Sequence, residues 1–269
     1  MAGAPEASHH GLLWGRAEST RTTKEEQALE LCNQYIKRSV SGVFFAPLEL
    51  TPAKDKTNQA IVDALDEAHI PIVLLDRDIM PYPKRTRHDL VGVDNQRAGY
   101  LITEHLLNLG CRRIAFVAYP NGASTVEARI AGFREALFAH GVQPKAESVQ
   151  ILSSITESEL NLLIRKLRPE GFVCVNDRLA GQLMHLLLAL GYRVPHDVRI
   201  VGIDDVGYAK LLAVPLTTVS QPCRQIGEIA MRTMLERIER PSLLSRDILL
   251  ECKLVIRESC GANERKRVE

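Results

Sequence analysis

Four places in this sequence put acids, an amide or a guanidinium directly behind a short apolar run. Asp76 and Arg77 follow the run 72–75, Asp94 and Asn95 follow 91–93, Asn176 and Asp177 follow 172–175, and Asp204 and Asp205 follow 200–203. A further guanidinium, Arg129, falls in the first turns of a helical pattern that comes after the run 113–118. Carboxylates accept hydrogen bonds from hydroxyls, amides both give and accept, and the arginine fork donates two bonds at once, so this set suits a polyhydroxylated ligand. Each residue also has a plainer reading. Asp94 and Asp177 fit helix N-caps, and Arg129 taken alone fits a surface ion pair. Their joint recurrence at one position, the end of a run, is what points to a ligand site.

The other chemistries lack a signature. The eight histidines form no His-Glu-x-x-His or comparable ligand cluster, and His105, within an apolar helical stripe, reads as a core or interface residue. The six cysteines, at 32, 111, 174, 223, 252 and 260, include no Cys-x-x-Cys pair and read as buried reduced thiols. There is no Gly-x-Ser-x-Gly nucleophile elbow, no Gly-x-Gly-x-x-Gly and no Walker loop. The expectation is a binding module that is not an enzyme, with no metal and no cofactor.

The elements that must position these residues alternate. Strand-like runs are expected at 12–14, 42–46, 71–75, 90–93, 113–118, 149–152, 171–175 and 198–203. Helical periodicity is expected over 24–40, 53–68, 95–109, 126–140, 157–167 and 179–190, with Gly110, Gly141 and Gly191 as stops. The last part differs: a helix over 222–240 precedes two strand-like runs, 247–250 and 252–257. Strands separated by helices imply right-handed βαβ units and parallel sheets. Ligands of such sheets bind outside the carboxyl ends of the strands, where the polar residues above are found.

Composition agrees with this class. The 269 residues are 45% hydrophobic and 25% charged, with a formal net charge of +1. That is material for more than one core and gives no bulk attraction to a polyanion. The N-terminal stretch 1–10 lacks the basic start and apolar core of a secretory signal, and no apolar stretch approaches a bilayer span. A cytoplasmic location without a membrane partner is expected.

Four motifs resemble the effector domain of LacI/GalR-type transcriptional regulators. They are Val91-Gly-Val-Asp-Asn-Gln-Arg-Ala-Gly99 leading to Gly110-Cys-Arg-Arg-Ile-Ala-Phe116, then Arg129-Ile-Ala-Gly-Phe133, then Val175-Asn-Asp177 leading to Gly191-Tyr-Arg-Val-Pro-His-Asp-Val-Arg-Ile-Val-Gly-Ile-Asp-Asp205, and Pro215-Leu-Thr-Thr-Val-Ser-Gln221 closed by Leu254-Val-Ile-Arg-Glu-Ser259. Their order and spacing cover about residues 12 to 259. The resemblance implies an α/β fold of the periplasmic-binding-protein-like type I class, with two Rossmann-like lobes and an effector between them. It assigns 11–119 and 222–243 to the first lobe and 120–221 and 244–260 to the second, between a disordered 1–10 and a tail 261–269. The effector contacts it implies are Asp94, Arg129, Asn176, Asp204 and Gln221. A sugar or sugar derivative is the commonest effector of the family, and purine-sensing members share the frame. The resemblance also implies a homodimer that reaches DNA only through a head domain. Fewer residues precede the run 12–14 than such a head needs, and that run aligns with the family's second strand, so the first strand and helix find no match. The expected consequence is an unpaired edge at 42–46. The alternative is a solute-binding protein of a sugar uptake system, which needs an export signal.

Overall fold

The computed structural model describes residues 23–262. The expected strand 12–14, the stretch 1–10 and most of the tail, 263–269, lie outside the described residues.

The first lobe is built from α1 (Lys24–Lys37), β1 (Val43–Phe45), α2 (Lys54–Glu67), β2 (Ile72–Leu75) and β3 (Asp89–Val93). Helix α1 begins on a capping box, in which the Thr23 hydroxyl accepts from the Glu26 N–H at 3.2 Å and the Glu26 carboxylate accepts from the Thr23 N–H at 2.8 Å. The chain then crosses to α3 (Asn95–Asn108), β4 (Ile114–Ala118), α4 (Ser124–Ala139), β5 (Val149–Ile151), α5 (Glu157–Leu167), β6 (Gly171–Cys174), α6 (Asp177–Ala189), β7 (Arg199–Asp204) and β8 (Thr217–Ser220). It closes with α7 (Cys223–Glu239), β9 (Asp247–Leu250) and β10 (Lys253–Val255). Strand β8 carries no sequence expectation, since its Thr-Thr-Val-Ser stretch is short and polar. It is nonetheless buried in three of its four residues, because it pairs on both sides.

Two sheets result. One is parallel throughout, in the order β1-β2-β3-β9; the other runs β10-β8-β7-β6-β4-β5 and is parallel except for the antiparallel β10-β8 edge. Strands β4 and β6 are buried at every residue, as expected of strands covered on both faces. In the first sheet, β1 pairs only with β2 among the described residues.

The sheets correct the expected lobe boundaries. Strand β4 lies inside the second sheet, between β6 and β5, so the first lobe's opening segment ends at Val93 rather than 119. Strand β9 returns to the first sheet, where Val91 pairs with Ile248, so that lobe's closing segment runs to Leu250 rather than 243. The reason for the first correction is the packing of α3. It lies against α4 backbone to backbone: a methyl on Gly99 would land on the Arg129 carbonyl oxygen, and one on Gly132 on the Gln96 carbonyl oxygen. The chain therefore changes lobe after Val93, between β8 and α7, and between β9 and β10.

The cores differ in kind. The second lobe has one continuous core, in which Phe116, Phe133 and Phe172 are fully buried, with Phe116 and Phe133 rings 5.5 Å apart. The first has a smaller cluster on each face of its sheet. Ile61 and Leu65 of α2 pack with Leu74 of β2 and Cys32 of α1 on one face, and Val73 and Val91 lie under Ala230 and Met234 of α7 on the other.

Candidate ligand-binding site

All three crossovers lie near the carboxyl ends of the parallel strands, where about 360 Å³ of open space separates the lobes. Glu49, Leu50, Asp76 and Arg77 form the first-lobe wall. Tyr119, Arg129, Asn176, Asp204 and Asp205 face them from the second lobe, and Gln221 lines the space at the second crossover. Hydrogen bonds already bridge the lobes beside it. The Leu50 N–H donates to the Asn121 carbonyl at 2.8 Å, and the Ser124 hydroxyl donates to the Asp78 carbonyl at 3.1 Å.

Arg129 is the best-fixed charge in the cavity. Its side chain is 7% exposed. Nε donates to the Asn95 amide oxygen at 2.8 Å, Nη1 to the Val175 carbonyl at 2.6 Å, and Nη2 reaches the Asp204 carboxylate at 3.5 Å. Asn95 opens α3, so the close packing of α3 on α4 is what brings the amide to the guanidinium. Asp204 also accepts from the Gln221 amide at 2.7 Å. Its carboxyl is pushed up to about 6: burial is the largest cause, Arg129 and Gln221 oppose it, and the Asp177 and Asp76 carboxylates add to it. Asn176 caps α6, accepting the Leu179 N–H on Oδ1 at 2.9 Å, which leaves the donor side of its amide for a ligand.

Two features mark the first-lobe wall as unfinished. Asp76 Oδ1 and Arg77 Nε are buried without a hydrogen-bond partner. Buried polar groups are almost always paired, and orphans of this kind need a water or a ligand. The backbone is also held in uncommon conformations here, with positive φ at Leu50 and Asp76; Asp204, at 123°, and Asp205 share this on the facing second-lobe wall. Residues held at such angles cluster at binding sites, where the surrounding structure over-determines them.

Of the residues expected to contact a ligand, Arg129, Asn176, Asp204 and Gln221 come together on the cavity, and Asp94 does not. Asp94 accepts from the Arg97 N–H at 2.9 Å and caps α3, at the first crossover and off the cavity wall. The helix-cap reading is the observed one, because the chain leaves β3 directly into α3 and needs an N-cap there. Asp177 is a fully buried brace at the start of α6: its carboxylate accepts from Thr218 Oγ1 at 2.6 Å and from the Val206 N–H at 3.0 Å. His105 is half-buried with Nε2 at 3.3 Å from Cys260 Sγ, and burial lowers its pKa. Among the described residues no group of three His, Cys, Asp or Glu side chains could hold a metal ion, and no helix is long and apolar enough to cross a membrane. The cavity-lining residues that the sequence reading missed include Glu49, Leu50 and Tyr119. Tyr119 directly follows β4, so extending the strand-end rule to that strand finds it; Glu49 and Leu50 lie further along the loop after β1 and have no such signal.

Comparison with known proteins places this geometry. Residues 103–260 match the family model of the periplasmic binding protein-like domain. The arabinose metabolism transcriptional repressor of Geobacillus stearothermophilus is 30% identical over 252 residues, which are 90% of this chain and 66% of that protein. The chain spans about two thirds of the length of the curated relatives it matches. The structure of the transcriptional regulator CelR in complex with cellobiose superposes with a TM-score of 0.73 at 28% identity, over 87% of this chain and 70% of that one. A LacI family transcriptional regulator from Enterococcus faecium with bound ribose gives a TM-score of 0.69 at 27% identity, over 86% and 84% of the two chains. The three crossovers, the two parallel sheets and the sequence match agree: this chain belongs to the periplasmic binding protein-like family, in the form found in LacI-type transcriptional regulators.

Proposed function

We propose that this chain is the effector-sensing part of a transcriptional regulator and that its effector is a neutral sugar held between the lobes. The observation that carries the reading is the cavity that buried Arg129 and half-buried Asp204 and Gln221 line together with the orphaned Asp76 Oδ1. Donors and acceptors converge there from both lobes, so a ligand with several hydroxyls satisfies both walls at once and stabilises closure. The related regulators whose structures hold cellobiose and ribose, and the arabinose metabolism repressor, support a sugar. In this reading the protein acts in the cytoplasm as a homodimer. Closure about the crossovers changes the spacing of DNA-binding heads attached to the two subunits.

The test is calorimetry of a sugar panel against the purified chain, followed by Arg129→Ala and Asp204→Ala. Removing a charged hydrogen-bond partner from a desolvated cleft costs about 1.5–3 kcal/mol, so affinity falls by roughly tenfold to a hundredfold. Circular dichroism checks that each variant remains folded. Unchanged affinity in folded variants rules out the assignment of those two residues.

A further inference from the structure

The cleft contains a second cavity. Beside the main space of about 360 Å³ lies another of about 180 Å³, walled by Lys54 and Asn58 from the first lobe and by Ser124 and Glu127 from the second. Two residues line both: Arg77 and Gly122. Gly122 has no side chain, so the side chain standing between the cavities is that of Arg77. It is 16% exposed and held at its tip, with Nη1 2.7 Å from the Glu49 carboxylate and Nη2 3.2 Å from that of Asp76. Its Nε is buried at this boundary with no partner. Pockets that hold whole ligands run from about 300 Å³ upward. The main cavity reaches that size and the smaller one does not, which makes the smaller one an annex. Its wall is polar enough to hold hydroxyls, through Glu127 and through Lys54 and Asp55, whose charges pair with each other at 2.6 Å. The Asn58 amide is already spent on the Leu48 backbone, donating to its carbonyl at 3.0 Å and accepting its N–H at 2.8 Å.

We propose that Arg77 is the specificity-determining residue for ligand length. With the guanidinium in place, the ligand ends at the Arg77 side chain, where Nε–H donates to its terminal oxygen. Without it the two cavities join into one slot that accepts a ligand one hydroxylated ring longer. This rests on the reading of the main cavity as a sugar site. It concerns a different wall from the Arg129 and Asp204 test, so the two can fail separately.

The experiment measures Kd by calorimetry for arabinose, arabinobiose and arabinotriose and for glucose, cellobiose and cellotriose, against wild type, Arg77→Ala and Arg77→Gln. Arg77→Ala is expected to move the ratio of affinities between the best wild-type ligand and its next longer homologue by about tenfold toward the longer one, the gain of roughly one well-made set of polar contacts. Arg77→Gln, which keeps a side chain across the boundary, is expected to retain the wild-type ratio. An unchanged ratio in Arg77→Ala overturns the proposal. Because that variant strands the Glu49 carboxylate, the double variant Glu49→Gln, Arg77→Ala carries the same test if the single one does not fold. A crystal structure of either variant gives a readout free of any ligand. One continuous cavity supports the partition, and two separate ones overturn it. If none of the six sugars binds wild type, the sugar reading falls while the crystal structure still decides the role of Arg77.

Discussion

At the scale of single residues, the site turns on Asp204. Its carboxyl lies near 6 because burial and the Asp177 and Asp76 carboxylates outweigh Arg129 and Gln221. A sugar hydroxyl donating to the carboxylate lowers that pKa, so binding near pH 6 releases a proton. Affinity is therefore expected to rise with pH up to about 7 and to fall at most about tenfold per unit well below 6, from the proton that must leave. Calorimetry at pH 6 in buffers of different ionisation enthalpy reads the proton count directly. Proton uptake would contradict the argument, and Asp204→Asn should flatten the profile. In the absence of ligand the sign differs: a carboxyl raised on folding favours the folded state below its unfolded pKa, and that contribution disappears as pH rises through about 6. How far the sequence disclosed this site is clear from individual side chains. Asp204 and Asn176 are readable because they end apolar strands, and Arg129 because a motif carries it. Asp76 and Arg77 are marked by their place behind β2, but the sequence gives no sign that one oxygen and one nitrogen of this pair lack partners. That depends on the opposing lobe, which no local pattern reports.

At the scale of elements, the contact of α3 with α4 fixes Arg129. Gly132→Ala puts a methyl on the Gln96 carbonyl, and backbone cannot rotate away as a flexible side chain does. The expected cost is about 1–3 kcal/mol of stability, typical of overpacking, with a loss of sugar affinity as α4 carries Arg129 away from Asn95. Denaturant unfolding and calorimetry check the two effects, and a variant of normal stability and affinity would refute the packing argument. A second device holds the first lobe. The Asp89 carboxylate on β3 is fully buried and takes Arg237 of α7 at 2.8 and 3.0 Å, and the Arg246 N–H just before β9 at 2.9 Å. One acid thus ties a strand, a helix and the returning segment. Asp89→Asn leaves the Arg237 charge without its partner and is expected to cost about 3–5 kcal/mol, measured as a lower denaturant midpoint. Elements with apolar periodicity, such as α3 and β6, were readable within a residue or two. Lobe membership was less so: β4 looks the same in sequence whichever sheet receives it, and the glycine contacts that decide it join residues thirty or more positions apart.

At the scale of the whole molecule, the two lobes are unequally supported. The second packs around one continuous core, whereas the first divides its buried side chains between two smaller clusters on opposite sheet faces. Local stability follows buried apolar contact. In native-state hydrogen exchange the amides of β4, β6 and β7 are therefore expected to open only with global unfolding, and those of β1 and β2 at lower free energy. Sugar binding should slow the first lobe more, since closure joins it to the firmer half. Equal protection of both sheets in the free protein would contradict this. The crossovers carry a further consequence, for the order in which the chain is made. When residue 220 has left the ribosome, every parallel strand of the second sheet has been synthesised. At that moment the first sheet still lacks β9, and Val73 and Val91 still lack the helix that covers them. The lobe begun first thus waits longest for its cover, and until residue 239 emerges one apolar face of it stands open to whatever else the nascent chain meets.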